Sequence, residues 1–140
     1  MKKFYEFCIY PLKKALWAPA SVFLFYVAVL YSPVISSSYL PLWWDSVVHF
    51  AGGIAICFFF SAATKGPHAR IFLGQHTRFS LFVLLVSLTA LAAVLWEITE
   101  WIDKQLTGRA IQTDVTDTIS DMAMGLIGGA VMAMKVTLKK

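Results

Sequence analysis

The sequence is poor in charged residues: Asp, Glu, Lys and Arg make up 14% of its 140 residues, whereas 59% are hydrophobic. A soluble domain of this size cannot hide so much apolar surface from water. The scarcity of charge therefore excludes an ordinary soluble enzyme or binding module and predicts an integral membrane protein. The chain is too short to add a separate soluble domain, so any chemistry must lie within or beside the bilayer.

Cysteine and clustered basic residues are also scarce. The two cysteines, Cys8 and Cys57, lack the spacing of a metal site and fall where a disulfide is not expected, so we interpret both as free thiols. The net charge is +4, but the basic residues are scattered beside apolar segments rather than gathered into a patch. We therefore predict no nucleic-acid partner.

Long apolar segments are abundant by contrast. A helix needs about 20 such residues to cross the hydrocarbon core, and four segments have this length: residues 15–35, 43–64, 79–101 and 115–136. Their short connections predict a single all-α domain over residues 1–140, built as a bundle of four transmembrane helices. Small residues, including Gly125-x-x-x-Gly129, are expected to let helices approach closely.

The distribution of Lys and Arg predicts how the bundle is oriented. Ten of the twelve lie on one side of the predicted spans: Lys2, Lys3, Lys13, Lys14, Lys65, Arg70, Arg78, Lys135, Lys139 and Lys140. The other side carries Lys104 and Arg109. The positive-inside rule then places both termini and the middle loop in the cytoplasm. The small size and short loops are typical of a multi-pass protein of the bacterial plasma membrane, where membrane lipids surround the chain.

Acidic residues are distributed in the opposite way, because seven of the eight, all but Glu6, lie near the outer ends of the spans. Three helices each carry a polar pair at helical spacing, so each pair shares one helix face. The pairs are Asp45 and His49, Glu97 and Glu100, and Asp117 and Asp121. His49, Glu97 and Asp121 would lie at matched depths, roughly 6–10 Å inside the membrane boundary. An ionised carboxylate there costs at least ~2.5–3.5 kcal/mol, so these side chains are expected to face inward and share partners.

The predicted cluster has too many acids for its single histidine to neutralise. Either several carboxyl groups are protonated or a cation is bound. Carboxylates with an imidazole suit Mg²⁺, Mn²⁺, Fe²⁺ or Zn²⁺, which predicts a divalent metal held by Asp45, His49, Glu97, Glu100, Asp117 and Asp121. Glu97 and Glu100 are the candidate catalytic residues.

Structural roles compete with this interpretation. Asp114 and Asp117 fit the cap and first turn of the fourth helix, and a lone histidine is commonly a hydrogen-bonded interior residue. Trp96 fits an interfacial belt. Arg109 is a candidate anion contact or a solvated loop residue.

These residues together resemble a known family. The resemblance rests on Asp45-x-x-x-His49-Phe50, Glu97-x-x-Glu100, Arg109, Asp117-x-x-x-Asp121 and Gly125 with Gly128-Gly129, and it is to the VanZ-like family. The stretches 97–101 and 112–122 are similar to the YjdF-type bacterial inner-membrane proteins. VanZ-like proteins usually carry Gln at the position of Glu100 and Asn near Asp121, so this chain is more acidic. The resemblance implies a membrane bundle with a polar site, and for some members a link to teicoplanin resistance.

Three functions are compatible with this pattern. The first is a metal-dependent membrane enzyme acting on a lipid or lipid-linked envelope substrate from the outer leaflet. The second is a cation- or proton-binding module for transport or regulation. One copy lacks matching acids in the cytoplasmic halves of its spans, so transport would call for a homo-oligomer. The third is a structural subunit whose polar cluster only fixes helix packing.

The orientation is testable by cysteine labelling in intact cells. In a background with Cys8 and Cys57 replaced by serine, Ser37→Cys should react with a membrane-impermeant thiol reagent, whereas Arg70→Cys should react only after lysis. This result follows from the ten-to-two distribution of basic residues. Labelling of Arg70→Cys but not Ser37→Cys in intact cells would overturn the orientation.

Overall fold

The computed structural model describes residues 1–30, 43–108 and 114–139, and all regular structure in these ranges is helical. The helices are α1 (Lys2–Ala15), α2 (Trp17–Leu30), α3 (Trp43–Ala63), α4 (Ala69–Leu73), α5 (Arg78–Thr107) and α6 (Val115–Leu138). The all-α class predicted from composition is confirmed. The fold is built on the three long helices; α1 and α2 pack against α3, and α4 packs against α1.

Among the described residues, three helices have the length and hydropathy of membrane spans: α3, α5 and α6, with 21, 30 and 24 residues. At about 1.5 Å per residue even α3 is ~32 Å long, enough to cross a hydrocarbon core of ~30 Å. These helices match the predicted spans 43–64, 79–101 and 115–136. The match is least close at the end of α5, which continues to Thr107. There Gly108 adopts a left-handed conformation (φ 71°) and donates its N–H to the carbonyl of Lys104, which ends the helix.

The first predicted span, residues 15–35, is matched in part, because α2 (Trp17–Leu30) lies within it and its predicted start coincides with the end of α1. The helix α1 was not predicted, and it meets α2 at Leu16 with a bend of 54°. Pro19 explains the break, because it has no N–H to donate to the carbonyl of Ala15 and its ring clashes with that carbonyl. The described part of α2, 14 residues, is ~21 Å long. The bent pair can serve as one broken span, so the described residues provide three or four membrane crossings; positions 31–35 of the prediction lie outside them.

The contact between α3 and α6 is made by backbone. A Cβ atom at Gly53 would overlap the carbonyl oxygen of Gly125, and one at Gly128 would overlap the carbonyl oxygen of Phe50. Glycine is therefore required where the two helices touch, as in other close contacts between membrane helices. The close approach predicted around Gly125-x-x-x-Gly129 is confirmed.

A second contact group lies away from the polar pairs of α3, α5 and α6. Phe72 of α4 packs its ring against Phe4 and Phe7 of α1. The ring Nε2 of His68, just before α4, lies 2.9 Å from the carboxylate of Glu6. These contacts join α1 to the connection between α3 and α5, at the end of the molecule opposite the polar pairs.

Alanine substitution tests the backbone contact, with a matched control in the same sequence. Gly128→Ala should destabilise the protein by about 1–3 kcal/mol, since the added methyl group forces α3 and α6 apart. Gly52→Ala should be neutral or stabilising, because a Cβ there meets nothing within 4 Å and alanine is the better helix former. Thermal unfolding in detergent measures both, and equal stability of the two variants would contradict the packing.

Candidate functional site

The structure brings the predicted polar pairs to one end of the molecule, where α3 and α6 begin and α5 ends. We call this the acidic end and define it by Asp45, His49, Glu97, Glu100 and Asp121. Four of these residues are buried, with exposed fractions of 8% for His49, 4% for Glu97, 5% for Glu100 and 3% for Asp121, and Asp45 is half-buried. The expectation that these side chains face inward and share partners is met.

The imidazole of His49 lies at the centre of the acidic end. Its Nε2 atom is 3.5 Å from Oδ1 of Asp45 and 3.9 Å from Oδ2 of Asp121, while its Nδ1 atom is 3.7 Å from Oε1 of Glu97. These distances exceed those of good hydrogen bonds. Nε2 is buried and has no hydrogen-bond partner among the described residues. A buried polar atom of this kind calls for an explanation, and a bound ion is one.

The spacing of the ligand atoms agrees with a shared metal ion. Two atoms each ~2.1 Å from a tetrahedral ion are ~3.4 Å apart, close to the separation of Nε2 and Asp45. Two sets of three residues each place one ligand atom within 4.8 Å of the others. The first set is Asp45, His49 and Asp121; the second is His49, Glu97 and Glu100. The described residues therefore include a cluster that can hold a metal.

Glu100 has donors of its own. The hydroxyl group of Tyr26 donates to its Oε1 at 2.6 Å, and the indole Nε1 of Trp96 donates to the same oxygen at 2.9 Å. Tyr26 belongs to α2 and is only 6% exposed, so this hydrogen bond joins α2 to the acidic end of α5. Its partners keep Glu100 in place beside the imidazole.

Sequence reasoning missed both donors. Trp96 was interpreted as a belt residue, although its spacing of four from Glu100 is a signal for contact on one helix face. Tyr26 left no signal, because a single tyrosine in an apolar segment says nothing about which helix it meets.

Two further acids, Asp114 and Asp117, lie at the start of α6. Asp114 caps the helix, and its Oδ1 accepts hydrogen bonds from the backbone N–H groups of Asp117 at 3.0 Å and Thr116 at 2.7 Å. These bonds lower the pKa of the Asp114 carboxyl group. The capping role considered for Asp114 is thus confirmed. Asp117 belongs to neither metal-compatible set, so its role as a ligand stays a prediction, and Arg109 lies outside the described residues.

Comparison with known proteins identifies a family. The family model described as "Predicted membrane protein (DUF2238)" matches residues 4–139. The chain belongs to this family. No curated protein and no solved structure matches it. The DUF2238 description agrees with the membrane class predicted from composition, and the match covers the bent α1–α2 pair as well as the three long helices.

A double-mutant cycle tests the link between α2 and the acidic end of this DUF2238 protein. Tyr26→Phe removes only the hydroxyl group that donates to Glu100, so it should lower the free energy of unfolding by about 1 kcal/mol or more. The same substitution in a Glu100→Leu background should have a much smaller effect. Tyr5→Phe serves as the control because Tyr5 is 64% exposed. Equal effects of Tyr26→Phe in both backgrounds, measured by thermal unfolding, would contradict the hydrogen bond.

Proposed function

We propose that the protein is a metal-dependent enzyme of the bacterial plasma membrane that acts on a lipid or lipid-linked cell-envelope substrate. The observation that carries the metal site is the Nε2 atom of His49, which is buried, lacks a hydrogen bond and lies between carboxylates of α3 and α6. Buried polar atoms are normally paired. A divalent ion satisfies Nε2 and offsets the negative charge around it.

We assign the metal to the Nε2 side of the imidazole, with Asp45, His49 and Asp121 as its ligands. Glu97 lies at Nδ1, where a carboxylate fixes the tautomer and orientation of a metal-bound histidine. Glu100 is the weaker candidate ligand, because its Oε1 already accepts two hydrogen bonds. Oxygen ligands with one imidazole suit Zn²⁺, Fe²⁺, Mn²⁺ or Mg²⁺.

The same arrangement supports hydrolytic or transfer chemistry. A metal at this position supplies a Lewis acid that polarises a carbonyl or phosphoryl oxygen and lowers the pKa of bound water. Of the two predicted catalytic residues, Glu97 is then a positioning residue. Glu100 is the candidate general base: one of its carboxylate oxygens lies within 4.8 Å of a ring nitrogen of His49, and the role requires that it reach the reacting group directly or through one water molecule.

Membrane orientation determines which substrate can reach the site. We propose four crossings within a single domain, the bent α1–α2 pair serving as one span, with both termini in the cytoplasm. The ten-to-two distribution of Lys and Arg supports this orientation. The acidic end then faces the outer leaflet, and the side chain of Asp45, 30% exposed, offers an entry path. The resemblance to VanZ-like and YjdF-type proteins points to the same location.

A proton- or cation-binding module is the second candidate. One imidazole lies between two carboxylate sets, an arrangement that also suits a group of side chains sharing protons. In its proton-binding form such a module would bind no stoichiometric transition metal. Transport through either form would require a path supplied by several copies.

Isosteric substitutions with metal analysis separate these functions. Asp45→Asn and Asp121→Asn should abolish bound metal in the purified protein, and Glu97→Gln should weaken metal affinity about 10–100-fold by releasing the imidazole. Asp103→Asn is the control, since Asp103 belongs to neither carboxylate set. The metal-free stability of Asp121→Asn should be unchanged or raised, because one of several mutually repelling buried carboxylates is removed.

Other results of the metal analysis would support a different function or a different position of the ion. Wild-type protein without stoichiometric metal before chelation contradicts the enzyme proposal and favours the proton-binding module. Metal retained in Asp45→Asn and Asp121→Asn but lost in Glu97→Gln and Glu100→Gln would move the ion to the Nδ1 side. Metal and cellular phenotype at wild-type levels in all four variants would leave only a structural role for the cluster.

A further inference from the structure

A cavity of about 430 Å³ lies between α2, α3, α5 and α6. Apolar and small residues form most of its walls, among them Ala20, Val22, Ile56, Ala92 and Ala93. Its volume falls within the range of small-molecule sites, ~300–1,000 Å³. The cavity thus has room for one slender apolar ligand and not for a whole two-chain lipid.

The polar groups of the cavity are almost all used by the protein. The hydroxyl group of Thr89 donates to the carbonyl of Leu85, and the donors of Tyr26 and Trp96 both reach Glu100. His49 also lines the cavity, and its Nε2 atom makes no hydrogen bond with the described residues. An occupant therefore meets apolar walls along its length and one polar group at a single end.

That polar end is continuous with the acidic end. His49 belongs both to the cavity lining and to the two metal-compatible sets. From His49 the cavity follows α3 to Ile56, about 10 Å at 1.5 Å per residue, which is roughly a third of the hydrocarbon core. A chain lying there would point its polar end at the proposed metal and its tail toward the membrane centre.

The cavity also reaches the surface beside α2. Leu16 and Phe23 line it and are 45% and 50% exposed. In a protein whose long helices have the composition of membrane spans, this surface faces lipid. A lipid chain can therefore enter sideways from the bilayer without passing through water.

We infer that this cavity binds one acyl chain of a glycerophospholipid, with the ester group placed beside His49. The occupant is an unbranched chain because the volume is small. We assign it to a phospholipid because the cavity opens beside α2 toward the bilayer, where phospholipid acyl chains surround the protein. The inference deepens the proposed function by naming the substrate class, and it rests on that function for the role of the ester. The cavity itself is testable without it.

Photolabelling in nanodiscs tests the inference on the full chain. The probe is phosphatidylglycerol carrying a diazirine on one acyl chain, placed either near the ester or at mid-chain. The near-ester probe should label Tyr26, Trp96 and Val48, and the mid-chain probe should label Leu16 and Ile56. Both should exceed the labelling of Leu91, which is 57% exposed on α5 and faces bulk lipid.

Filling the cavity supplies the decisive variant. A Cβ at Gly52, which lines the cavity, meets nothing within 4 Å, so Gly52→Leu should occupy the space while the helix is kept. We expect cavity labelling to fall about tenfold, equivalent to ~1.4 kcal/mol of binding. Leu91→Phe, which adds bulk on the lipid-facing side, should leave it unchanged. Thermal unfolding of Gly52→Leu, with Gly52→Ala as the smaller substitution at the same position, shows whether a fall in labelling reflects a loss of fold.

The outcomes separate this inference from the metal site. Labelling of cavity residues no higher than that of Leu91, or unchanged by Gly52→Leu, would overturn it. Labelling by a diazirine polyprenyl phosphate but not by the phosphatidylglycerol probe would overturn the assignment to a phospholipid chain. Metal content should stay at the wild-type level in Gly52→Leu. If cavity labelling behaves as expected but the wild-type protein binds no metal, the chain site stands and the proposed function fails.

Discussion

The backbone contact between α3 and α6 is the constraint on which the candidate site depends. Gly128 lies against the carbonyl of Phe50, the residue that follows His49, and Gly125 lies one helical turn after Asp121. A Cβ atom at Gly128 would overlap the carbonyl oxygen of Phe50, and one at Gly53 would overlap that of Gly125. The two helices therefore meet at a single height and separation. That height brings the imidazole of one helix beside the carboxylate of the other.

The charges of the acidic end are balanced in two different ways. Glu100 receives two hydrogen bonds from Tyr26 and Trp96, which stabilise it without a counter-ion. Asp121 and Asp45 have the imidazole of His49 as their neighbour at distances too long for good hydrogen bonds. Carboxylates removed from water repel one another strongly. Protonation of some of these carboxyl groups, or the cation proposed on the Nε2 side, would relieve that repulsion.

Sequence reasoning succeeded for the long helices but did not predict the helix α1 or its bend to α2. In α3, α5 and α6, hydropathy alone predicts the element, because a membrane span must satisfy all its backbone hydrogen bonds within the helix. The bend at Leu16 is different. Proline near the end of a span is tolerated in membrane helices, so Pro19 could not be distinguished in the sequence from an ordinary span end. The contacts of α1 with α4, through Phe72 and His68, could not be foreseen either, since they join segments distant in the chain.

The sequence by itself determined which polar residues share a helix face and lie at equal depth, because helical geometry converts spacings of three and four residues directly into neighbours. It therefore predicted that Asp45 and His49, or Glu97 and Glu100, act together. Only the tertiary structure decided that His49 turns Nε2 toward Asp121 and Nδ1 toward Glu97, that Asp117 is in neither metal-compatible set, and that Tyr26 reaches Glu100. These facts depend on the rotation of each helix about its axis, which is set by packing against other helices.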